Sequence, residues 1–302
     1  MRLLTYDRGD GARAGVLADG RIVDITDLLG SNETIRDIAH LLRLPGEPLE
    51  RVRQRVGEVE PGLSLDDVRL RQPLLQPPTI RDFFAFEEHV KNGRARRGLE
   101  VPEAWYRIPV FYFTNPLALS GPEDEISFPA ACEWRDYELE IAAVVGREGR
   151  NVAADDAMSY IAGFTILNDW SARDIQRDES SVGLGPSKGK DFASSMGPWV
   201  VTTDELAPLI KDGRLTGRMT ARVNGETWSD NTGAGMNYSF KDLVAHASRD
   251  SRIVPGDVIG SGTVGRGCIL EQPDRRWLDP GDTVEMEIEG IGTLRNKVVA
   301  PA

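Results

Sequence analysis

One stretch of the sequence sets narrow limits on the fold, because an alternating acidic segment runs directly into an apolar one. It spans residues 136–146 and has the sequence DYELEIAAVVG. Alternation followed by an apolar run that ends at glycine predicts a β-strand with a buried second half. Side chains two residues apart on a strand share a face, so Asp136, Glu138 and Glu140 are expected to point the same way.

The carboxylates of this strand indicate a cation site. Carboxylates this close repel one another unless a cation lies between them, because like charges at short range disfavour joint ionisation. Glu138 and Glu140 therefore suggest a hard divalent ion bound through oxygen. The alternative is a solvated strand face. Glu285, Glu287 and Glu289 alternate in the same way, so the pattern alone does not identify a site.

A second predicted strand ends beside another carboxylate. Residues 161–167 form an apolar run, and Asp169 follows within the segment NDWSARD at 168–174. Asp169 is expected either to bind the same cation or to cap the following helix. Together with Glu138 and Glu140 it would form an incomplete oxygen shell. Such a shell suits Mg²⁺ or Mn²⁺ and leaves positions for water or substrate.

The composition is that of an ordinary globular protein. The 302 residues are 40% hydrophobic and 28% charged, which allows one large domain or a small one and a larger one. No apolar run approaches the length of a membrane span, and residues 1–6 show no signal-peptide core. A cytoplasmic location is therefore expected. Cys132 and Cys268 provide neither a disulfide framework nor a thiolate metal site.

The net charge of −12 predicts that nucleic acids and anionic membranes are not partners, since both attract basic surfaces. It does not argue against an anionic substrate. A bound cation and a local cluster of arginine and lysine can reverse the sign of the potential inside a cleft.

The first 75 residues are predicted to form a small N-terminal unit. The predicted elements are strands at 1–6, 14–17 and 21–24 and amphipathic helices that begin at Thr34 and Pro48. The proline-rich stretch at 72–78 predicts an extended linker, because proline disfavours helix in the residue before it. A larger unit is then expected over residues 76–302.

Two segments of the larger unit carry candidate chemistry. Residues 81–92 predict a helix with Asp82 near its start and His89 on a polar face, where His89 is either a surface residue or a general base. The glycine-rich stretch at 183–190 lacks the spacing of a phosphate-binding loop. It predicts either a mobile lid that delivers Lys190 to a site or an ordinary flexible loop.

The last third of the chain predicts a compact β architecture with one helix. Asn224 and Gly225 predict a type I′ turn in a hairpin that spans residues 216–229. Residues 240–248 predict a short helix. Pro-Gly-Asp turns at 255–257 and 280–282 each lead into a strand.

Taken together, these segments resemble the fumarylacetoacetate hydrolase family over most of residues 80 to 300. The most specific segments are DYELE at 136–140, NDWSARDIQ at 168–176, GKDF at 189–192, and PGD at 255–257 leading to Gly262-Thr263. The resemblance implies an α+β fold that is mostly β, a mixed β-sandwich roll preceded by a small N-terminal α/β domain. Residues 1–75 resemble the short N-terminal domain of bacterial members.

The resemblance also implies the members of an active site. Metal ligands would be Glu138, Glu140, Asp169 and Asp82, with Mg²⁺ as the expected ion and Mn²⁺ or Ca²⁺ as alternatives. Catalytic residues would be His89, Glu271, Lys190 and Gln176, and substrate-binding residues would be Arg97, Tyr112 and Thr263. Phe84 and Ser180 depart from the animal hydrolase, which carries tyrosines there. These two changes argue against fumarylacetoacetate itself as the substrate.

The expected function is hydrolysis of a carbon–carbon bond in a 1,3-dicarbonyl or acylpyruvate-type oxo acid. The resemblance implies a metal-bound enolate, with water activated by His89 and Glu271. One alternative is another reaction on the same metal site, namely decarboxylation of a 2-oxo acid such as oxaloacetate or isomerisation of 2-hydroxyhepta-2,4-diene-1,7-dioate. Another is a non-catalytic, metal-stabilised binding module. Family members commonly form homodimers, so a homodimer that takes a small oxo-acid substrate is expected.

Overall fold

The computed structural model describes residues 1–59 and 62–301 of the chain. The α-helices of this part are α1 (Ile25–Leu29), α2 (Ile38–Leu42), α3 (Pro48–Arg55), α4 (Glu87–Ala95), α5 (Arg173–Ser181) and α6 (Phe240–Ser248). The strands are β1 (Arg2–Asp7), β2 (Ala12–Ala18), β3 (Arg21–Asp24), β4 (Leu63–Ser64), β5 (Arg69–Arg71), β6 (Ile80–Phe83), β7 (Phe111–Thr114), β8 (Leu119–Ser120), β9 (Glu125–Ser127), β10 (Arg135–Asp136), β11 (Leu139–Val145), β12 (Gly149–Arg150), β13 (Ile161–Asn168), β14 (Ser171–Ala172), β15 (Ser194–Thr202), β16 (Ile210–Lys211), β17 (Arg214–Leu215), β18 (Arg218–Val223), β19 (Glu226–Thr232), β20 (Arg252–Ile253), β21 (Val258–Gly260), β22 (Thr283–Ile288) and β23 (Gly292–Val299).

A large mixed sheet forms the centre of the molecule. Its strand order is β4-β3-β2-β1-β15-β13-β11-β21-β6-β7, with β5 paired to β1 and β8 paired to β15. The central pairs are antiparallel, whereas β21 and β6 run parallel. The N-terminal strands continue this sheet, since Leu3 of β1 lies opposite Val200 of β15.

A second sheet packs against one face of the large sheet. Its strand order is β19-β18-β22-β23-β9. Ile141 and Ala143 of β11 belong to the same buried cluster as Met219 of β18 and Met286 of β22. Helix α6 adds Phe240 to this cluster. The α+β class with mostly β structure, predicted from the sequence, is therefore confirmed.

The opposite face of the large sheet is covered by the N-terminal helices. Ala142 and Val144 of β11 pack in one cluster with Leu28 of α1, Leu41 of α2 and Val52 of α3. Strand β11 is thus buried on both faces, which explains why its sequence is a continuous apolar run. The boundary at residue 75 stays a prediction, because the N-terminal strands share the sheet with the rest of the chain.

Two sequence predictions differ from the structure near the acidic segment. The stretch 136–146 is not one strand, because Asp136 in β10 pairs with Ser171 while Leu139 begins the pairing of β11 with β13. Glu138 lies between the two strands. The helix predicted over 81–92 is wrong at its start, since Asp82 lies in β6 between β21 and β7. Pairing on both sides overrides the local helical pattern, and α4 begins at Glu87.

Several local predictions are confirmed. Strands β18 and β19 form the predicted hairpin, and Asn224 and Gly225 both have positive φ, as a type I′ turn requires. Helix α6 spans the predicted residues and begins with a capping box between Ser239 and Asp242.

Over residues 1–59 and 62–301, every helix is too short or too polar to cross a membrane.

Candidate active site

Three strands of the large sheet bring three carboxylates to one end of it. Asp82 lies in β6, Glu140 lies in β11, and Asp169 directly follows β13. The three side chains are buried, and each offers a carboxylate oxygen within 4.8 Å of the others. Asp169 does not cap a helix, because α5 begins at Arg173 with Ala172 as its N-cap.

Burial and mutual repulsion keep these carboxylates from ionising together. Burial, followed by the charge of Asp169, raises the pKa of Asp82 to about 8. Burial and the nearby Asp82 raise the pKa of Glu140 well above its usual range. Burial also raises the pKa of Asp169, although the Lys190 ammonium opposes this shift. A divalent cation among the three groups would remove the repulsion and favour the charged forms.

The donor set fits a hard divalent cation. Glu140 Oε1 accepts a hydrogen bond of 3.3 Å from Thr263 Oγ1. Glu140 Oε2 is buried and has no hydrogen-bond partner within the residues that the structure describes. A buried carboxylate oxygen without a partner is unfavourable unless a ligand satisfies it. The all-oxygen set of Asp82, Glu140 and Asp169, called the carboxylate cluster below, therefore has the chemistry of a site for Mg²⁺, Mn²⁺ or Ca²⁺.

Glu138 lies beside the carboxylate cluster and is bound by two cationic side chains. Its Oε1 accepts a 2.6 Å hydrogen bond from Arg173, and its Oε2 accepts one from Lys190. The Lys190 ammonium also binds Asp169. Burial opposes ionisation, but the charges of Arg173 and Lys190 outweigh it and hold the pKa of Glu138 below its usual range. Glu138 is thus ionised next to the cluster, and its role as a metal ligand stays a prediction.

The predicted histidine–glutamate pair is present on the other side of Glu138. His89 Nδ1 lies 2.8 Å from Glu271 Oε2, and both side chains are buried. Asn92, one turn along α4, donates a 2.8 Å hydrogen bond to Glu271 Oε1. Burial raises the pKa of Glu271, but His89 and Asn92 outweigh this effect, and the pKa lies below its usual range. An ionised Glu271 favours the tautomer of His89 with hydrogen on Nδ1.

This tautomer leaves His89 Nε2 as a hydrogen-bond acceptor. Nε2 lies 3.8 Å from Glu138 Oε1, so it faces the ionised carboxylate that lies beside the carboxylate cluster. The Phe84 ring packs edge-on against the imidazole at 5.3 Å between ring centroids. The arrangement can accept a proton from a water or substrate placed between His89 and the cluster.

One cavity of about 660 Å³ unites nearly all the predicted site residues. The predicted residues that line it are Asp82, Phe84, His89, Arg97, Tyr112, Glu138, Glu140, Gln176, Ser180, Lys190 and Thr263. Asp169 is held beside it by the Tyr112 hydroxyl and Lys190, and Glu271 contacts His89. The structure brings all eleven members of the predicted catalytic, substrate-binding and metal sets together, and their individual roles stay predictions.

Arginines supply positive charge to the same cavity. Arg94, Arg96, Arg97 and Arg177 all line it. Within the described residues, the first three form no ion pair with a carboxylate, whereas Arg177 makes only a 3.4 Å contact with its neighbour Asp178. These arginines make the cavity locally positive in a chain with net charge −12.

Arg173 has a function in the site that sequence analysis missed. Its Nε donates to Asp136 Oδ2 at 2.7 Å while its terminal nitrogen binds Glu138. Asp136 in turn accepts the backbone N–H groups of Ile269 and Leu270, which directly precede Glu271. The cation between Asp136 and Glu138 is therefore the guanidinium of Arg173.

Asn92 was also missed, although the sequence contains a signal for it. His89 and Asn92 are three residues apart on a helix, a spacing that places both side chains on one face. The sequence signal for Arg173 is weaker. The role of this buried arginine becomes visible only when the structure shows that its two carboxylate partners lie close together.

The chain is similar in sequence to proteins of one family. Residues 79–299 match the family model described as the C-terminal domain of fumarylacetoacetate (FAA) hydrolase. Human mitochondrial oxaloacetate tautomerase FAHD2A is 34% identical over 252 residues, which cover 83% of this chain and 76% of the human protein.

Solved structures with the same architecture include proteins with different activities. A fumarylacetoacetate hydrolase from Exiguobacterium antarcticum has a TM-score of 0.76 and 26% identity, with 99% of each chain covered. A 5-carboxymethyl-2-hydroxymuconate delta-isomerase from Mycobacterium smegmatis has a TM-score of 0.70 and 28% identity, with 99% of this chain and 100% of that chain covered. The family and the fold predicted from the sequence are thus confirmed, and the chain belongs to the fumarylacetoacetate hydrolase family of enzymes.

Proposed function

We propose that the protein is a Mg²⁺-dependent hydrolase that cleaves a carbon–carbon bond in an acylpyruvate-type oxo acid. The observation that carries this proposal is the position of the His89–Glu271 pair. Its acceptor nitrogen opens onto the same cavity as the carboxylate cluster, so a water and an oxo acid can be held side by side. Decarboxylation requires no attacking water, and a base pair at this position favours hydrolysis.

In the proposed reaction, His89 Nε2 accepts a proton from water while Glu271 stabilises the resulting imidazolium. The water oxygen bonds to the carbonyl carbon remote from the carboxylate. The bond from this carbon to the methylene group then breaks, and the methylene carbon takes the electron pair as an enolate of the oxo acid. The imidazolium returns the proton to this carbon. The products are a carboxylic acid and pyruvate, so atoms and charge balance.

The other residues of the cavity have complementary tasks. A divalent cation at Asp82, Glu140 and Asp169 would supply Lewis-acid stabilisation of charge that develops on the oxo-acid oxygens. Lys190 and Gln176 provide hydrogen-bond donors for the same charge, and removal of one such donor lowers the rate by about 10²–10³. The unpaired arginines, Arg97 among them, attract an anionic substrate.

The test is a screen of acylpyruvates, oxaloacetate and fumarylacetoacetate with Mg²⁺ and with EDTA. We expect pyruvate release from an acylpyruvate with Mg²⁺ and its loss with EDTA. His89→Ala should lower kcat by roughly 10²–10⁴, the usual contribution of a general base. His40→Ala is the matched control, because His40 lies on α2 outside the cavity. Wild-type turnover by the purified His89→Ala protein would contradict the assigned role.

A second candidate is interconversion of the keto and enol forms of oxaloacetate. The human relative named as an oxaloacetate tautomerase favours it, since it shares 34% identity over 83% of this chain. Tautomerisation needs only a proton shuttle and leaves the substrate mass unchanged, whereas decarboxylation releases carbon dioxide and hydrolysis adds one water. Mass analysis of the products therefore separates hydrolysis from decarboxylation, and tautomerisation is followed as a change in enol absorbance at constant mass. Stabilisation by Mg²⁺ with no turnover in the screen would instead identify a metal-stabilised binding module.

A further inference from the structure

Lys190 reaches the cavity from a segment that is otherwise at the surface. Val182 and Leu184 are 82% and 81% exposed, whereas the side chain of Lys190 is 4% exposed. The chain therefore passes from the surface to the interior of the site within six residues. Contacts with the rest of the protein must hold this segment in place, because a lysine on a freely moving loop would not keep a defined position.

Glu179 on α5 binds the backbone of this segment directly. Its carboxylate accepts hydrogen bonds from three consecutive N–H groups, those of Ser187 at 3.1 Å, Lys188 at 2.5 Å and Gly189 at 3.1 Å. Residues 187–189 are called the anchor segment below. Hydrogen bonds to an ionised acceptor are stronger than those between neutral groups.

The contacts of Glu179 are specific to the anchor segment. Within the part of the chain that the structure describes, Glu179 forms no ion pair with a lysine or arginine. The ammonium of Lys188 binds Asp191 at 2.7 Å instead. The carboxylate of Glu179 is therefore committed to the backbone, which distinguishes it from an ordinary charged residue on a helix surface.

Close packing on α5 completes the attachment. A Cβ on Gly189 would lie 2.8 Å from the backbone nitrogen and Cβ of Gln176, so the anchor segment rests directly on the helix. Gly189 also accepts a 2.9 Å hydrogen bond from the backbone of Ala172. Arg173, Gln176 and Glu179 follow at three-residue spacing along α5, which places them near one face.

We propose that Glu179 is a positioning residue that holds Lys190 in the site through the anchor segment. It does not itself line the cavity, and it acts through the backbone that precedes Lys190. The consequence for turnover rests on the proposed function, whereas the consequence for the position of Lys190 does not.

The test compares Glu179→Gln with Asp178→Asn. The first replacement keeps the size of the side chain but removes one acceptor oxygen and the charge. The second makes the same charge change at the neighbouring exposed residue, which contacts Arg177 rather than the anchor segment. Each protein is measured at the same number of degrees below its own Tm. A change in global stability then does not affect the comparison with wild type.

Hydrogen exchange and limited trypsin digestion measure the position without any activity assay. Trypsin must bind the Lys190 side chain in its own pocket to cut after it, so cleavage there reports release of Lys190 from the site. We expect Glu179→Gln to raise amide exchange at residues 187–189 and cleavage after Lys190 by about tenfold or more, since it weakens charge-assisted hydrogen bonds. Asp178→Asn should change neither. Equal exchange and cleavage in wild type and Glu179→Gln would overturn the proposal.

A double-mutant cycle with Lys190→Ala tests whether Glu179 acts through Lys190. On a substrate found in the screen, Glu179→Gln should lower kcat by no more than Lys190→Ala does, about 10²–10³ for one donor. It should have no further effect when Lys190 is already alanine. An equal loss in both backgrounds would overturn the proposal. If no oxo acid is turned over, the exchange and digestion results still decide it, and only the proposed function fails.

Discussion

The charge of Asp82 depends on a bound cation. Its side chain is buried, and its carboxyl group has a pKa of about 8 because of burial and the neighbouring Asp169. Near neutral pH it therefore keeps a proton that an exposed aspartate would have released. A cation can bind the cluster only by displacing this proton, so cation affinity and pH are linked.

We predict that stabilisation by Mg²⁺ grows as the pH rises. Between about pH 4 and pH 8 Asp82 binds more proton in the folded protein without cation than in the unfolded chain, so its contribution to the free energy of unfolding falls as the pH rises. Below the pKa of Asp82, release of the Asp82 proton alone makes cation affinity rise about tenfold per pH unit. The increase in Tm caused by Mg²⁺ should thus be larger at about pH 8 than at about pH 6.

Asp82→Asn should remove both the Mg²⁺-dependent increase in Tm and its pH dependence. Glu285→Gln is the control, because Glu285 is half-buried on β22, in the second sheet, away from the cavity. An increase in Tm that is the same at both pH values in the wild-type protein would contradict the assignment of Asp82.

Single residues also show where sequence reasoning reaches its limit. Alternating glutamates occur on β22 as well, but Glu287 lies on an outer face and pairs with Arg222 at 3.0 Å. The alternating glutamates around Glu140 differ from those on β22 only because other carboxylates lie close to Glu140 in the folded protein. The sequence predicted the members of the site through family resemblance. It could not predict that Arg173 and Lys190 occupy the oxygens of Glu138, because those contacts depend on tertiary geometry.

Strand β21 explains how carboxylates on non-adjacent strands can meet. It lies between β11 and β6, and Gly260 pairs with both Ala142 and Asp82. Asp82 and Glu140 can approach across β21 because Gly260 has no side chain there. A Cβ at this position would lie 3.1 Å from Asp82 Cγ and 3.2 Å from Leu167 Cδ2. The sequence therefore needs glycine at residue 260 to form the carboxylate cluster.

Gly260→Ala should disturb the cluster in a protein that still folds. We expect overpacking to lower the free energy of unfolding by about 1–3 kcal/mol. The displaced Asp82 carboxylate should also weaken Mg²⁺ binding, measured by calorimetry, at least about tenfold, which corresponds to roughly 1.4 kcal/mol. Gly57→Ala is the control, since a Cβ at Gly57 meets no atom within 4 Å. Unchanged Mg²⁺ affinity in folded Gly260→Ala would contradict this explanation.

Elements with a local sequence signal were predictable, whereas β6, whose structure depends on its pairing, was not. The hairpin around Asn224 and the capped helix α6 follow from turn and capping residues within a few positions. Strand β6 was predicted as helix, because its pairing with β21 involves residues almost 180 positions away in sequence. The sequence contains no local signal for such a contact.

At the scale of the whole molecule, the N-terminal helices and the second sheet pack on the two faces of the large sheet that carries the site. The N-terminal helices pack on the same sheet face toward which Glu140, two residues before Ala142, is directed. The second sheet packs on the opposite face and leaves the end with the carboxylate cluster open to the cavity. The expected homodimer stays a prediction. The central claim is that this end of the sheet binds a divalent cation.

The most direct test is a crystal structure of the protein with Mn²⁺, located by its anomalous scattering. The account predicts a single strong peak in the cavity, bound by oxygens of Asp82, Glu140 and Asp169 at about 2.0–2.6 Å, the range for hard divalent cations. Asp82→Asn crystals under the same conditions should lose the peak. A cavity without Mn²⁺, or a Mn²⁺ ion bound elsewhere while the three carboxylates remain together, would contradict the claim.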